Sequence, residues 1–228
     1  MSDTESSGSK TLKGRNLAWL VATLVLDCLV LLIWAFPAVV DELTPTRLAA
    51  IRGSLTALLP IPALIISSLI SANVKAILVF WRIKYPLPGS RAFSVHAPAD
   101  HRIDLEQLKK HVGEFPVDER DQNAKWYRLY KQVDSDPSVA DSHKNYLLFR
   151  DIAAMSLILV FAVPAVTRFN GVAPSPILIC AGWFLGQYLV SAFAARNTGI
   201  RFVQNVLAVH ASRRVGETMT SNSTSEGE

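Results

Sequence analysis

Residues 136–166 read DPSVADSHKNYLLFRDIAAMSLILVFAVPAV, and the fold turns on how this stretch is interpreted. Asp136 is a good helix N-cap and Pro137 a good first helical residue, because its fixed φ suits a helix and its missing N–H would be unpaired there anyway. The stretch begins polar, passes Arg150 and Asp151, and continues as IAAMSLILVFAVPAV, apolar on every face. No glycine or proline interrupts it between Pro137 and Pro164. A helix apolar all round cannot be covered by one neighbour in water; it belongs in a large core or a bilayer. The stretch therefore predicts one helix, half in water and half in lipid, joining a polar module to a bundle.

Three more apolar runs flank it. Residues 17–40, LAWLVATLVLDCLVLLIWAFPAVV, exceed the roughly 20 residues needed to cross about 30 Å of hydrocarbon. Trp19 and Trp34 stand toward its two ends as interfacial anchors. Residues 55–81 form a second run, with Pro60 and Pro62 in its first turns and Lys75 placed to snorkel toward headgroups. A third spans 152–167, with Pro164 kinking or ending it, and a fourth 176–195. The expected fold is an all-α membrane protein of four transmembrane helices, N-in and C-in, with a small helical cytosolic module between helices 2 and 3.

The ordering along the chain is then a disordered tail (1–15), a first transmembrane hairpin (16–81), the module (82–149) and a second hairpin (150–195). An amphipathic cytosolic helix (196–215) and a Gly, Ser, Thr and Glu-rich tail (216–228) follow. Within the module, Pro86 and Pro88 exclude regular helix from YPLPGS. Asp104 predicts a helix start and Gly113 its end, with Leu105, Leu108 and Val112 on one face. A second helix, capped by Asp118 or Asp121, carries Trp126, Leu129, Tyr130 and Val133 at helical spacing. Val139, Tyr146 and Leu147 on the next helix can pack against Trp126 and Tyr130. After Arg196, Val203, Val206, Leu207 and His210 share a stripe suited to the membrane surface or the module.

Half of the 228 residues are hydrophobic, mean hydropathy is +0.26 and net charge is only +4. The basic residues gather where apolar runs end, a topology signal and not a nucleic-acid surface. Lys10, Lys13, Arg15, Arg82, Lys84, Arg150, Arg196 and Arg201 flank one side, against Arg47, Arg52 and Arg168. By the positive-inside rule the first group is cytosolic, and a bacterial inner (plasma) membrane is the expected location. Cys28 and Cys180 both lie in apolar runs, which disfavours a structural disulfide.

Chemistry-bearing residues are few. Asp27 falls about ten residues, or roughly 15 Å, into the first run, where a carboxylate costs about 2.5–3.5 kcal/mol unless partnered. Gln187, Ser67 and Ser68 reach similar depth, so the four form a candidate intramembrane polar node, the bland alternative to an ion pathway. Gly182 and Gly186 make a GxxxG that lets a second helix approach, from this chain or another copy. Arg91, Arg150, Arg196, Asn197 and Arg201 are candidate contacts for an anion or lipid headgroup, with Gly199 allowing a break after the fourth span. His96, His101, His111, His143 and His210 lack metal-ligand spacing and read as scattered surface residues. No catalytic, metal or cofactor motif emerges. The expected function is a self-associating membrane effector or regulator that couples a cytosolic protein or small anionic ligand to the bundle. The rivals are a small transporter or channel subunit using Asp27, and a lipid-acting enzyme at the cytosolic rim.

Overall fold

The computed structural model describes residues 12–35, 65, 69–169 and 174–212, and every regular element among them is helical. Helix α1 covers Leu12–Ala35 and α2 covers Ala72–Phe80. A 3-10 turn, Pro88–Arg91, leads directly into a π-helical turn, Ala92–His96. Helices α3 (Leu105–Val112), α4 (Glu119–Lys131), α5 (Pro137–Phe169) and α6 (Pro174–Ser212) follow. Helices α5 and α6 are long and apolar enough to cross a membrane by length and composition, while Asn16–Leu31 of α1 is a shorter apolar helix. Most of the second expected span lies outside the described residues, as do Ser67 and Ser68.

The chain forms two compact units. One comprises residues up to Val79 together with Leu147–Ala195; the other comprises Phe80–Tyr146 and the chain from Arg196 onward. Helices α5 and α6 each contribute residues to both. In the first unit, Leu20 and Leu24 pack with Leu148 and Met155, and Val163 packs with Cys180 and Phe184. Its polar side chains Asp27, Lys75, Asp151, Ser156 and Ser191 are buried, while Trp19, Phe161, Leu178 and Val190 are each more than 60% exposed.

The helices of the second unit are started by side-chain caps and packed on an aromatic core. Asp104 accepts from the Glu106 and Gln107 amides at 2.9 and 3.0 Å and starts α3; Gly113, at φ 76°, ends it. Asp118 does the same for α4 through Arg120 and Asp121. Asp136 starts α5 by accepting from the Ser138 amide at 2.9 Å and hydroxyl at 2.6 Å, and these bonds hold its carboxyl below the usual range. The core is aromatic: Phe202 meets Trp126 and Tyr130 edge-on at 5.1 Å each and stacks on His143 at 4.4 Å. Buried Gln122 fixes the π turn, its Oε1 accepting from the Phe93 and Ser94 amides at 3.1 and 3.2 Å. Its Nε2 donates to the Val117 carbonyl at 3.2 Å, so both ends of the amide are satisfied.

Three expectations change. The helix after Arg196 is not a separate amphipathic segment but the continuation of α6, with Val203, Val206, Leu207 and His210 buried in the second unit. Gly199 is not a break: a Cβ there would lie 3.0 Å from Phe80 Cζ and Tyr146 Cδ2, so the glycine serves close approach inside a continuous helix. Pro164 does not end α5, which runs on to Phe169. Gly89 has a similar packing reason, since a Cβ would drive into the Trp126 ring and Asn123 Oδ1.

These geometries separate two substitutions. Gly89→Ala should destabilise by about 1–3 kcal/mol, the usual cost of overpacking, because the Cβ would overlap the Trp126 ring and Asn123 Oδ1 and not merely crowd them. Gly199→Ala should be nearly neutral, its milder crowding offset by about 1 kcal/mol of helix propensity. Thermal melts of the purified variants check this, and a Gly199→Ala protein melting lower than Gly89→Ala would contradict it.

Candidate functional site

Two groups of charged side chains stand out, one in each unit, and they handle charge in opposite ways. In the first unit Lys75 Nζ lies 2.8 Å from Asp151 Oδ1, with side chains only 3% and 5% exposed. Arg150 donates to the same oxygen through Nη2 at 3.2 Å. Lys75 therefore does not snorkel outward. Its helix α2 directs it inward, where an opposite charge offsets desolvation better than a partial reach to a surface. Arg150 is correspondingly engaged by Asp151 and is not among the residues gathered at the second group.

Also in the first unit, Gln187 Nε2 donates to Asp27 Oδ2 at 3.5 Å, a long bond. Gln187 and Ser191 line a groove of about 560 Å³ together with Thr23, Trp183, Gly182 and Gly186. A Cβ added at Gly182 or Gly186 would meet nothing within 4 Å, so neither glycine serves close helix packing among the described residues of this chain. Tyr188 Oη donates to the Leu78 carbonyl at 2.8 Å and ties α6 to α2.

In the second unit, Arg82 donates twice to Glu119, at 2.9 and 3.0 Å. Arg91 closes the 3-10 turn, and its side chain makes no hydrogen bond or ion pair with a described residue. Burial holds its guanidinium below its usual proton affinity, and the neighbouring charges of Arg82 and Arg196 push the same way against Glu119. Arg196 lies over the Trp81 ring, 5.9 Å from its centroid. His96 closes the π turn, is 4% exposed, and its Nε2 is buried without a hydrogen-bond partner. Burial, then the charges of Arg91 and Arg196, push its pKa down to about 4. At neutral pH this imidazole is uncharged.

Of the five anion contacts expected from sequence, Arg91 and Arg196 lie near enough to His96 for their charges to act on it, while Asn197 and Arg201 are exposed. Sequence reasoning missed His96 and Arg82. The histidines are not all superficial either: His210 is buried with Nε2 donating to the Leu129 carbonyl at 3.0 Å, and His111 Nδ1 donates to the His210 carbonyl at 2.8 Å. Among the described residues no group of three or more His, Cys, Asp or Glu side chains could hold a metal ion. No protein-family model matches the sequence, and no curated protein or solved structure resembles it.

The buried pair gives an ordered prediction. Removing one partner of a buried ion pair costs about 3–5 kcal/mol, because the other keeps its desolvation penalty. Asp151→Leu should reach that range, leaving Lys75 and Arg150 without their carboxylate. Lys75→Met should cost less, since Asp151 retains Arg150. Chemical denaturation of both variants and of the double substitution tests the order, and equal losses from the two single changes would refute it.

Proposed function

We propose that the chain is a multi-pass integral membrane protein, a regulator or effector whose polar unit is cytosolic and whose apolar unit spans the bilayer. The observation that carries this reading is the continuity of α5 and α6, each of which joins a polar segment to an apolar one without a break, α5 from polar to apolar and α6 from apolar to polar. Two such helices offer a direct mechanical route between the units, since no glycine hinge divides α5. The outward apolar and inward polar side chains of the first unit fit lipid contact, where water no longer rewards exposed polar groups. Four spans with both termini cytosolic satisfy the distribution of Lys and Arg. The bacterial inner membrane is the proposed location.

Self-association belongs to the same proposal. The open faces of Gly182 and Gly186 leave room for a helix of a second copy, which is where a GxxxG pair gains its packing.

Cysteine labelling on intact cells tests the topology. A Cys placed at Asn170 should be reached by an impermeant reagent from outside and one placed at Ser135 should not; labelling of Ser135→Cys would overturn the cytosolic assignment.

Coupling through α5 has its own test. Tyr146→Gly with Leu147→Gly weakens the helix by roughly 2 kcal/mol relative to an Ala pair at the same positions, which loses the same packing. Growth arrest on expression, or dye release from liposomes, should fall further in the Gly pair with insertion intact. Identical behaviour of the two pairs would remove α5 as the transmitting element.

A further inference from the structure

We propose that Arg91, Arg196 and His96 form a binding site for a phosphate group within the polar unit. The three come from separate elements: Arg91 from the end of the 3-10 turn, His96 from the end of the π turn, Arg196 from α6. Gln122, by clamping the Phe93 and Ser94 amides, and Gly89, by admitting the Trp126 ring, set the backbone that carries the first two.

Two independent features point to an anion. The first is unspent positive charge. Arg82 is already neutralised by its two bonds to Glu119, whereas Arg91 has no such partner among the described residues and Arg196 has only the Trp81 ring. Glu119 supplies one negative charge against the three positive charges of Arg82, Arg91 and Arg196, so the group keeps an excess of positive charge, and an entering anion relieves the repulsion. The second feature is His96 Nε2, buried with no partner beside those same arginines. A buried polar nitrogen normally has a hydrogen-bond partner, so this one marks a place for an acceptor. In the neutral imidazole that carries its proton on Nε2, the N–H donates to an oxygen; an anion bound there would also favour protonation of the ring.

The donor set selects phosphate. Two guanidinium forks and one imidazole N–H exceed what the two oxygens and single charge of a carboxylate use, but match the several oxygens of a phosphate. Trp81 can hold the Arg196 guanidinium flat for that contact. The phosphate could be carried by a soluble phosphate ester or by a phospholipid headgroup, and the chemistry at the site is the same for both. The site lies within one compact unit and holds whether or not the chain spans a bilayer.

The test follows His96 itself. Full-length protein carrying 15N-labelled histidine, purified in a neutral detergent, is titrated with inorganic phosphate, with His96→Asn used to assign the resonance. A saturating shift of the His96 signal with a raised pKa is expected, and Arg91→Gln and Arg196→Gln should each weaken the response at least tenfold. In a second arm, the protein is placed in nanodiscs of phosphatidylcholine with or without phosphatidylglycerol, free of soluble phosphate. A His96 shift confined to phosphatidylglycerol discs identifies a headgroup as the source, and a shift with inorganic phosphate identifies the soluble one. No response in either arm overturns the site, as does an equal response to chloride or saturation unchanged in both arginine variants. The wild-type titration decides the question even if a variant fails to fold.

Discussion

A helix whose surroundings change halfway along must satisfy both with a single backbone. It can, because an α-helix pairs its own N–H and C=O groups and asks nothing of the medium except at its ends. In α5 the N-terminal amides are met by Asp136, and the ladder then runs from Pro137 to Phe169. Only side chains register the change. Val139 and Tyr146 are buried in the polar unit, and Ala153, Met155, Ser156 and Val163 are buried in the apolar one. α6 obeys the same constraint in the opposite direction, apolar up to Ala195 and carrying Arg196, Arg201 and Gln204 beyond it. The small residue at position 199 lets this second helix meet Phe80 and Tyr146 closely without interrupting its own hydrogen bonds.

The two units also show what burial does to charge. Lys75, Asp151 and Arg150 lose hydration together and compensate one another through direct contact. Arg91 loses part of its hydration beside Arg82 and Arg196, with Glu119 opposing, and burial, aided by the charges of Arg91 and Arg196, keeps the His96 imidazole neutral. A satisfied ion pair fixes structure and offers little to a ligand. An unsatisfied group of donors holds its capacity for whatever arrives. In one unit Lys75 and Arg150 share the Asp151 carboxylate directly; in the other, Glu119 bonds to Arg82 and not to Arg91 or Arg196.

The regular parts of the polar unit were legible because each rests on local chemistry. Asp104 and Gly113 bound α3 through bonds to residues two to four positions away, and the Trp126, Leu129, Tyr130 face of α4 follows from a period of 3.6. The run Pro88–His96 was not legible as helix. Its 3-10 and π turns depend on Gln122 and Trp126, about thirty residues further on, and no local propensity encodes them.

Sequence alone determined where the chain is polar and where apolar, that α5 is continuous, and that Asp104 and Asp136 start helices, with Asp118 or Asp121 starting α4. Those properties reside in composition, periodicity and capping, all read within a few residues. Tertiary structure alone decided that Lys75 meets Asp151 across 76 positions, that the end of α6 belongs to the core of the polar unit, and that His96 joins Arg91 and Arg196. Partner choice for a long side chain depends on which helix face happens to lie opposite. That is set by the packing of the whole unit, and no spacing along the chain records it.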